Sequence, residues 1–80
     1  MYYVYILRSI TNENQTYIGS SSDLKKRIES HNSGANKHTG KFKPWKIIWY
    51  CVFPTQQKAE SFEKYLKSAS GIAFRRKRLT

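Results

Sequence analysis

The spacing of apolar positions changes along this chain, and each change marks an element. Residues 2–8 (YYVYILR) are apolar and β-favouring at nearly every position. An unbroken run of that kind predicts a strand covered on both faces, hence a central one. Residues 10–15 (ITNENQ) carry turn-forming side chains, and residues 16–19 (TYIG) read as a second strand completing a hairpin. With the turn centred near Thr11, Tyr5 is expected opposite or nearly opposite Tyr17. The period then lengthens. Leu24, Ile28 and His31 share one helical face at about 100° per residue, with Arg27 on its flank. Ser22 or Asp23 can cap the start of that helix and Gly34 suits its end. Lys25, Lys26 and Glu29 point elsewhere.

Residues 33–44 (SGANKHTGKFKP) read as a polar, basic loop, and residues 45–53 (WKIIWYCVF) as a third strand. Thr55 can cap a second helix running to about Ser68. Its apolar stripe is Ala59, Phe62, Leu66 and Ala69, with Glu63 at the border and Gly71 as a stop. Residues 72–79 (IAFRRKRL) suit a short basic helix. The expected fold is α+β, in the order β-β-α-β-α-α, with residues 1–80 forming one domain around a three-stranded antiparallel sheet.

Charge narrows the function classes. Fifteen Lys and Arg against five Asp and Glu leave a net charge of +10. Residues 1–40 carry five basic and three acidic side chains (+2), and residues 41–80 carry ten and two (+8). A one-signed field of this size points to polyanions, nucleic acid before anionic membrane. Six Tyr, four Phe and two Trp argue for a packed core over a disordered basic tail. The lone Cys51 excludes an internal disulfide and a cysteine zinc cluster within one chain. Residues 2–7 are too short to span a bilayer and lack a signal peptide's flanks. A cytoplasmic protein with no membrane partner is expected.

Phosphate-binding glycine loops, HExxH and paired CxxC motifs are missing from the sequence. What stands out is an ordered set: Tyr3-Val4-Tyr5, then Tyr17-Ile18-Gly19, then Arg27 eight residues after Gly19, His31 one turn later, and Glu63 in AESFEKYLKS. This set resembles the GIY-YIG nuclease family, in particular its small standalone bacterial members, over nearly the whole chain. The resemblance implies hydrolysis of DNA phosphodiesters with one divalent ion, Mg²⁺ or Mn²⁺, no small-molecule cofactor, and DNA repair as a setting. It assigns the chemistry to Tyr5, Tyr17, Arg27, His31 and Glu63. Glu63 would hold the metal, Arg27 would clamp a phosphate oxygen, and Tyr5 would take the proton of the attacking water. Tyr17 would orient the water or the phosphate, and His31 would relay the proton or orient the tyrosine. Gly19 would admit the backbone where a side chain would block it. A free phenol has a pKa of about 10, and Arg27 and the metal are expected to lower it. The family often carries a late polar residue near the site, for which Ser68 and Ser70 are candidates.

Phosphate contacts are expected from Lys37, Lys41 and Lys43 in the loop and from Arg75, Arg76, Lys77 and Arg78 near the end. Plainer readings exist for each residue. The tyrosines suit any strand, Arg27 could be solvated, His31 could favour a helix C-terminus, and Glu63 could pair with Lys67. Trp45 and Trp49 could stack on unpaired bases, although their strand positions favour core packing. A basic nucleic-acid-binding module with a degenerate site is the alternative function, and an adaptor for acidic proteins a third. A weak homo-oligomer is left open.

Overall fold

The computed structural model describes residues 1–34 and 37–68, with the backbone alone at Lys37 and His38. The elements are β1 (Tyr2–Ser9), β2 (Thr16–Ser21), α1 (Leu24–Ser33), α2 (Lys37–Gly40), β3 (Trp45–Phe53) and α3 (Gln56–Lys67). The sheet is antiparallel in the order β2-β1-β3, so the apolar run at 2–8 is the central strand. Among the described residues the α+β class and the three-stranded sheet are as expected. The order differs by one short helix, α2, inside the segment read as a loop. The final basic helix, Ala69, Ser70 and the contacts expected of Arg75, Arg76, Lys77 and Arg78 lie outside the described residues, as does the side chain of Lys37.

Local chemistry sets the element ends. The Asp23 carboxylate accepts from the Lys26 amide at 3.0 Å, and Gly34 closes α1 in the left-handed region at φ 81°. Thr55 caps α3 by accepting from the Lys58 amide at 3.2 Å. The hairpin register places Tyr5 opposite Gly19 and Leu7 opposite Tyr17. This departs from the expected Tyr5–Tyr17 pairing by two positions, because the turn centres one residue beyond Thr11 and β2 runs on to Ser21.

β1 divides two apolar layers. Val4 and Ile6 pack with Ile18, Ala59 and Leu66 under α3. Tyr5 and Leu7 pack with Trp45 and with Leu24 and Ile28 of α1 on the opposite face. A bulge in β3 sets Trp49 against Ile6 and Ile47 against Leu7, leaving Ile48 as the extra residue. It reverses the strand's alternation. Trp45 therefore packs under α1 while Ile48 and Trp49 pack on the α3 layer. Both tryptophans serve the core, on opposite faces.

Candidate active site

The site begins with cross-strand geometry. Tyr5 faces Gly19, and its ring lies over that residue. A Cβ on Gly19 would sit 2.5 Å from Tyr5 Oη, 2.8 Å from its Cζ and 3.0 Å from Tyr17 Cε1. Glycine is needed here for space; its φ lies outside the left-handed region. The group that fills the space is a tyrosine of the same sheet.

Four side chains expected at the site touch one another. Arg27 Nε donates to Tyr5 Oη at 3.3 Å, and Tyr17 also acts on the guanidinium. The bond to Tyr5 first, with a smaller contribution from Tyr17, raises the pKa of Arg27, so it stays charged. His31 Nε2 lies 3.3 Å from Tyr5 Oη, and the rings of His31 and Tyr17 stand 4.7 Å apart. His31 is only 1% exposed, although it lies in the last turn of a basic helix. Burial first, then the charge of Arg27, lowers its pKa below the ordinary 6.5, so the imidazole is neutral. Its Nδ1 is 3.0 Å from Thr39 Oγ1. The arrangement is consistent with Nδ1–H donating to Thr39 while Nε2 accepts from Tyr5.

One expectation is reversed. Tyr5 has a raised pKa, because burial outweighs the hydrogen bond and charge of Arg27. The phenol is neutral at pH 7 and has an accepting imidazole beside it.

Thr39 was missed in the sequence. It is fully buried in α2, where its carbonyl also accepts from Trp45 Nε1 at 2.8 Å. Asn32 holds the start of β3, accepting from the Trp45 amide at 2.5 Å and donating to its carbonyl at 3.2 Å. Nothing in GANKHTGK singles out Thr39. Only the need of a buried histidine for a partner could have prompted a search.

Glu63 stands apart from the other four. It rises from α3 on the other face of the sheet, beside the edge strand β2. Its carboxylate accepts from Lys67 Nζ at 2.8 Å. Burial pushes its pKa up, but the bond from Lys67, the Ser20 hydroxyl and the charges of Lys67 and Arg27 more than reverse this. The carboxylate is therefore ionised, within the field of Arg27, with its side chain 21% exposed. The surface pair with Lys67 that the sequence allowed does form. Among the described residues no three His, Cys, Asp or Glu gather as a metal cage.

Lys41 and Lys43 are exposed on the segment after α2, with the Lys43 chain running past Gly34. The Phe42 carbonyl between them accepts from Ser9 Oγ at 2.5 Å. This ties the segment to the end of β1 beyond Leu7. Ser68 turns its hydroxyl onto the Tyr65 carbonyl at 2.6 Å.

The constellation of a GIY-half strand, a YIG-half strand, a helical Arg and His, and a later helical Glu matches one family. Its model, the GIY-YIG catalytic domain, matches residues 1–77. The chain belongs to the GIY-YIG family. A UPF0213 protein of Clostridium perfringens is 37% identical over 68 residues, covering 84% of this chain and 71% of that protein. A UPF0213 protein of Streptococcus pyogenes serotype M3 is 35% identical over 66 residues, covering 81% of this chain and 70% of that protein. The structure-specific endonuclease subunit SLX1 of Candida dubliniensis is 39% identical over 75 residues, covering 85% of this chain and 26% of that protein. These relatives differ in size, and this chain matches most of the bacterial proteins and a quarter of the fungal one.

Proposed function

We propose that this protein is a DNA endonuclease that hydrolyses phosphodiesters with a divalent metal ion. The observation that carries this reading is the Arg27 guanidinium bonded to Tyr5 beside a neutral His31, with the Tyr17 ring against the imidazole. A fixed cation, hydroxyls and a proton acceptor in contact are what phosphoryl transfer to water requires. Membership of a catalytic-domain family and likeness to a structure-specific endonuclease subunit support it.

Arg27 binds a non-bridging phosphate oxygen through the guanidinium edge that the tyrosines leave free. Its charge is tethered before substrate arrives, so little reorganisation is needed as negative charge grows on the phosphate. Tyr5 works as a relay. As the water oxygen bonds to phosphorus and the bond from phosphorus to the leaving sugar oxygen breaks, the water proton passes to Tyr5 Oη and the phenol proton passes to His31 Nε2; the leaving oxygen takes its proton from solvent water. Burial disfavours a free phenolate, and this exchange avoids forming one. Thr39 fixes the imidazole so that Nε2 keeps its lone pair toward Tyr5. Tyr17, packed against His31, orients the water or the phosphate.

Glu63 suits Mg²⁺ or Mn²⁺. It is an ionised oxygen ligand with the Ser20 hydroxyl adjacent, and Mg²⁺ commonly takes one or two carboxylates with waters and substrate phosphates. When bound, such an ion supplies charge stabilisation at the leaving oxygen.

The test is a cleavage panel of single-stranded, duplex and branched DNA in Mg²⁺ and Mn²⁺, with Arg27→Ala and Glu63→Ala as controls. Metal-dependent strand scission lost in both variants is expected. Salt-sensitive binding without scission on any substrate would leave only the alternative, a binding module with an idle site.

A further inference from the structure

The face of the sheet under α1 is only partly covered. On its β3 side, Ile47, Tyr50 and Val52 are 36%, 54% and 42% exposed, and all three belong to the same face as Tyr5. Ile47 and Tyr50, together with Tyr3, Leu24 and Ile28, edge an open groove, and the Tyr3 and Tyr50 rings meet at 6.2 Å. The groove holds about 520 Å³, with Lys25 at its rim. A second, polar groove of about 520 Å³ runs along the other side of α1, lined by Ser21, Lys26, Arg27 and Ser30. The two grooves share Ser22 and Asp23, so they meet at the start of α1. The Asp23 carboxylate there is engaged by the Lys26 amide.

We propose that the apolar groove receives an unpaired nucleobase of the DNA strand whose phosphates lie along Lys26 and Arg27, with Tyr50 as the stacking platform. This deepens the nuclease reading and rests on it. The occupant follows from complementarity. An aromatic, apolar slot suits the face of a base, and its continuation past the Asp23 carboxylate to Lys26, Arg27 and the hydroxyls of Ser21 and Ser30 suits the attached phosphates. Net charge of +10 favours that polyanion over an apolar protein segment. A paired base cannot enter, since it must leave its stack to reach Tyr50. The slot therefore gives the protein a preference for unpaired strands without any base-edge readout. Tyr5 and Tyr50 are cross-strand partners, so the platform is built on the same rigid row as the candidate chemistry.

The experiment uses the full chain in EDTA with a single-stranded oligodeoxynucleotide carrying 2-aminopurine and its blunt duplex. Tight single-strand binding with quenched 2-aminopurine is expected. Tyr50→Ala should weaken single-strand binding by at least about 5-fold, the lower end of the range seen for stacked bases. Duplex binding should change less than about twofold, because it depends on phosphate contacts. Tyr50→Phe should retain the wild-type affinity and Tyr50→Leu should not. Equal losses on both DNAs, no loss on either, or wild-type binding without quenching would overturn the site. So would a dimer in sedimentation that Tyr50→Ala dissociates, since the groove would then hold a second copy. Quenching lost in Tyr50→Ala, with no scission by the wild type in metal, would uphold the base site and sink the nuclease reading. Scission with no Tyr50 effect would do the reverse.

Discussion

The two faces of one strand have been put to different uses. Under α3, Val4 and Ile6 meet Ile18, Ala59 and Leu66, a layer whose buried core is apolar among the described residues. Under α1, Tyr5 and Leu7 meet Trp45, but the same layer encloses His31 and Thr39. Alternation along β1 separates them by a single residue. The α3 face supplies stability by plain burial. The α1 face accepts buried polar groups, each costly unless bonded, and arranges them as Arg27–Tyr5–His31–Thr39. Stability and chemistry should therefore respond to different substitutions.

The largest expected effects cross that divide. Arg27→Ala should lower cleavage by about 10²–10³-fold, as loss of a charge-stabilising donor does. Its thermal midpoint should hardly move, and a large drop there would show Arg27 to be structural. Leu66→Ala should cost about 2–5 kcal/mol in urea unfolding. Its activity per folded molecule should stay near wild type, and an activity loss beyond the unfolded fraction would break the comparison.

Smaller effects sharpen it. Gly19→Ala drives a methyl into Tyr5, and overpacking of that kind costs about 1–3 kcal/mol. Because the displaced group is the Tyr5 hydroxyl, cleavage should fall by more than the loss of folded protein explains. Thr39→Val leaves His31 Nδ1 unpaired, with an expected cost of about 1–3 kcal/mol. A variant as stable as the wild type would mean that this bond contributes little.

The smallest effect is in pH. The pKa of His31 is lowered in the fold, so below about 6.5 the unfolded chain takes up a proton that the folded chain resists. Stability should fall with acidity there and be flat above it. His31→Phe should remove that slope. The raised pKa of Tyr5 acts at the other end, with stability falling above about pH 10 as the unfolded phenol ionises. Urea midpoints measured across the range read both limbs.

Much of this was legible in the chain. The β-rich run at 2–8, the cap residues Asp23 and Thr55 and the C-terminal Gly34 act locally, so their signals sit next to what they determine. The residue set at the tyrosine cluster was legible as an ordered pattern. The bulge at Ile48 and the helix around Thr39 were not. A bulge answers to the partner strand, and a four-residue helix is stabilised by what it packs on. The pKa of Tyr5 was misread because a nearby cation can be inferred from sequence while depth of burial cannot.

The sequence by itself determined which residues could do chemistry and which strand would be central, because residue type, period and capping are local properties. Only the tertiary structure decided who touches whom. It set Tyr5 over Gly19, buried His31 against Thr39, and put Glu63 on the α3 face of the sheet, bonded to Lys67. Those outcomes depend on register, on which face a helix covers and on exclusion of water, and each is a property of packed elements together.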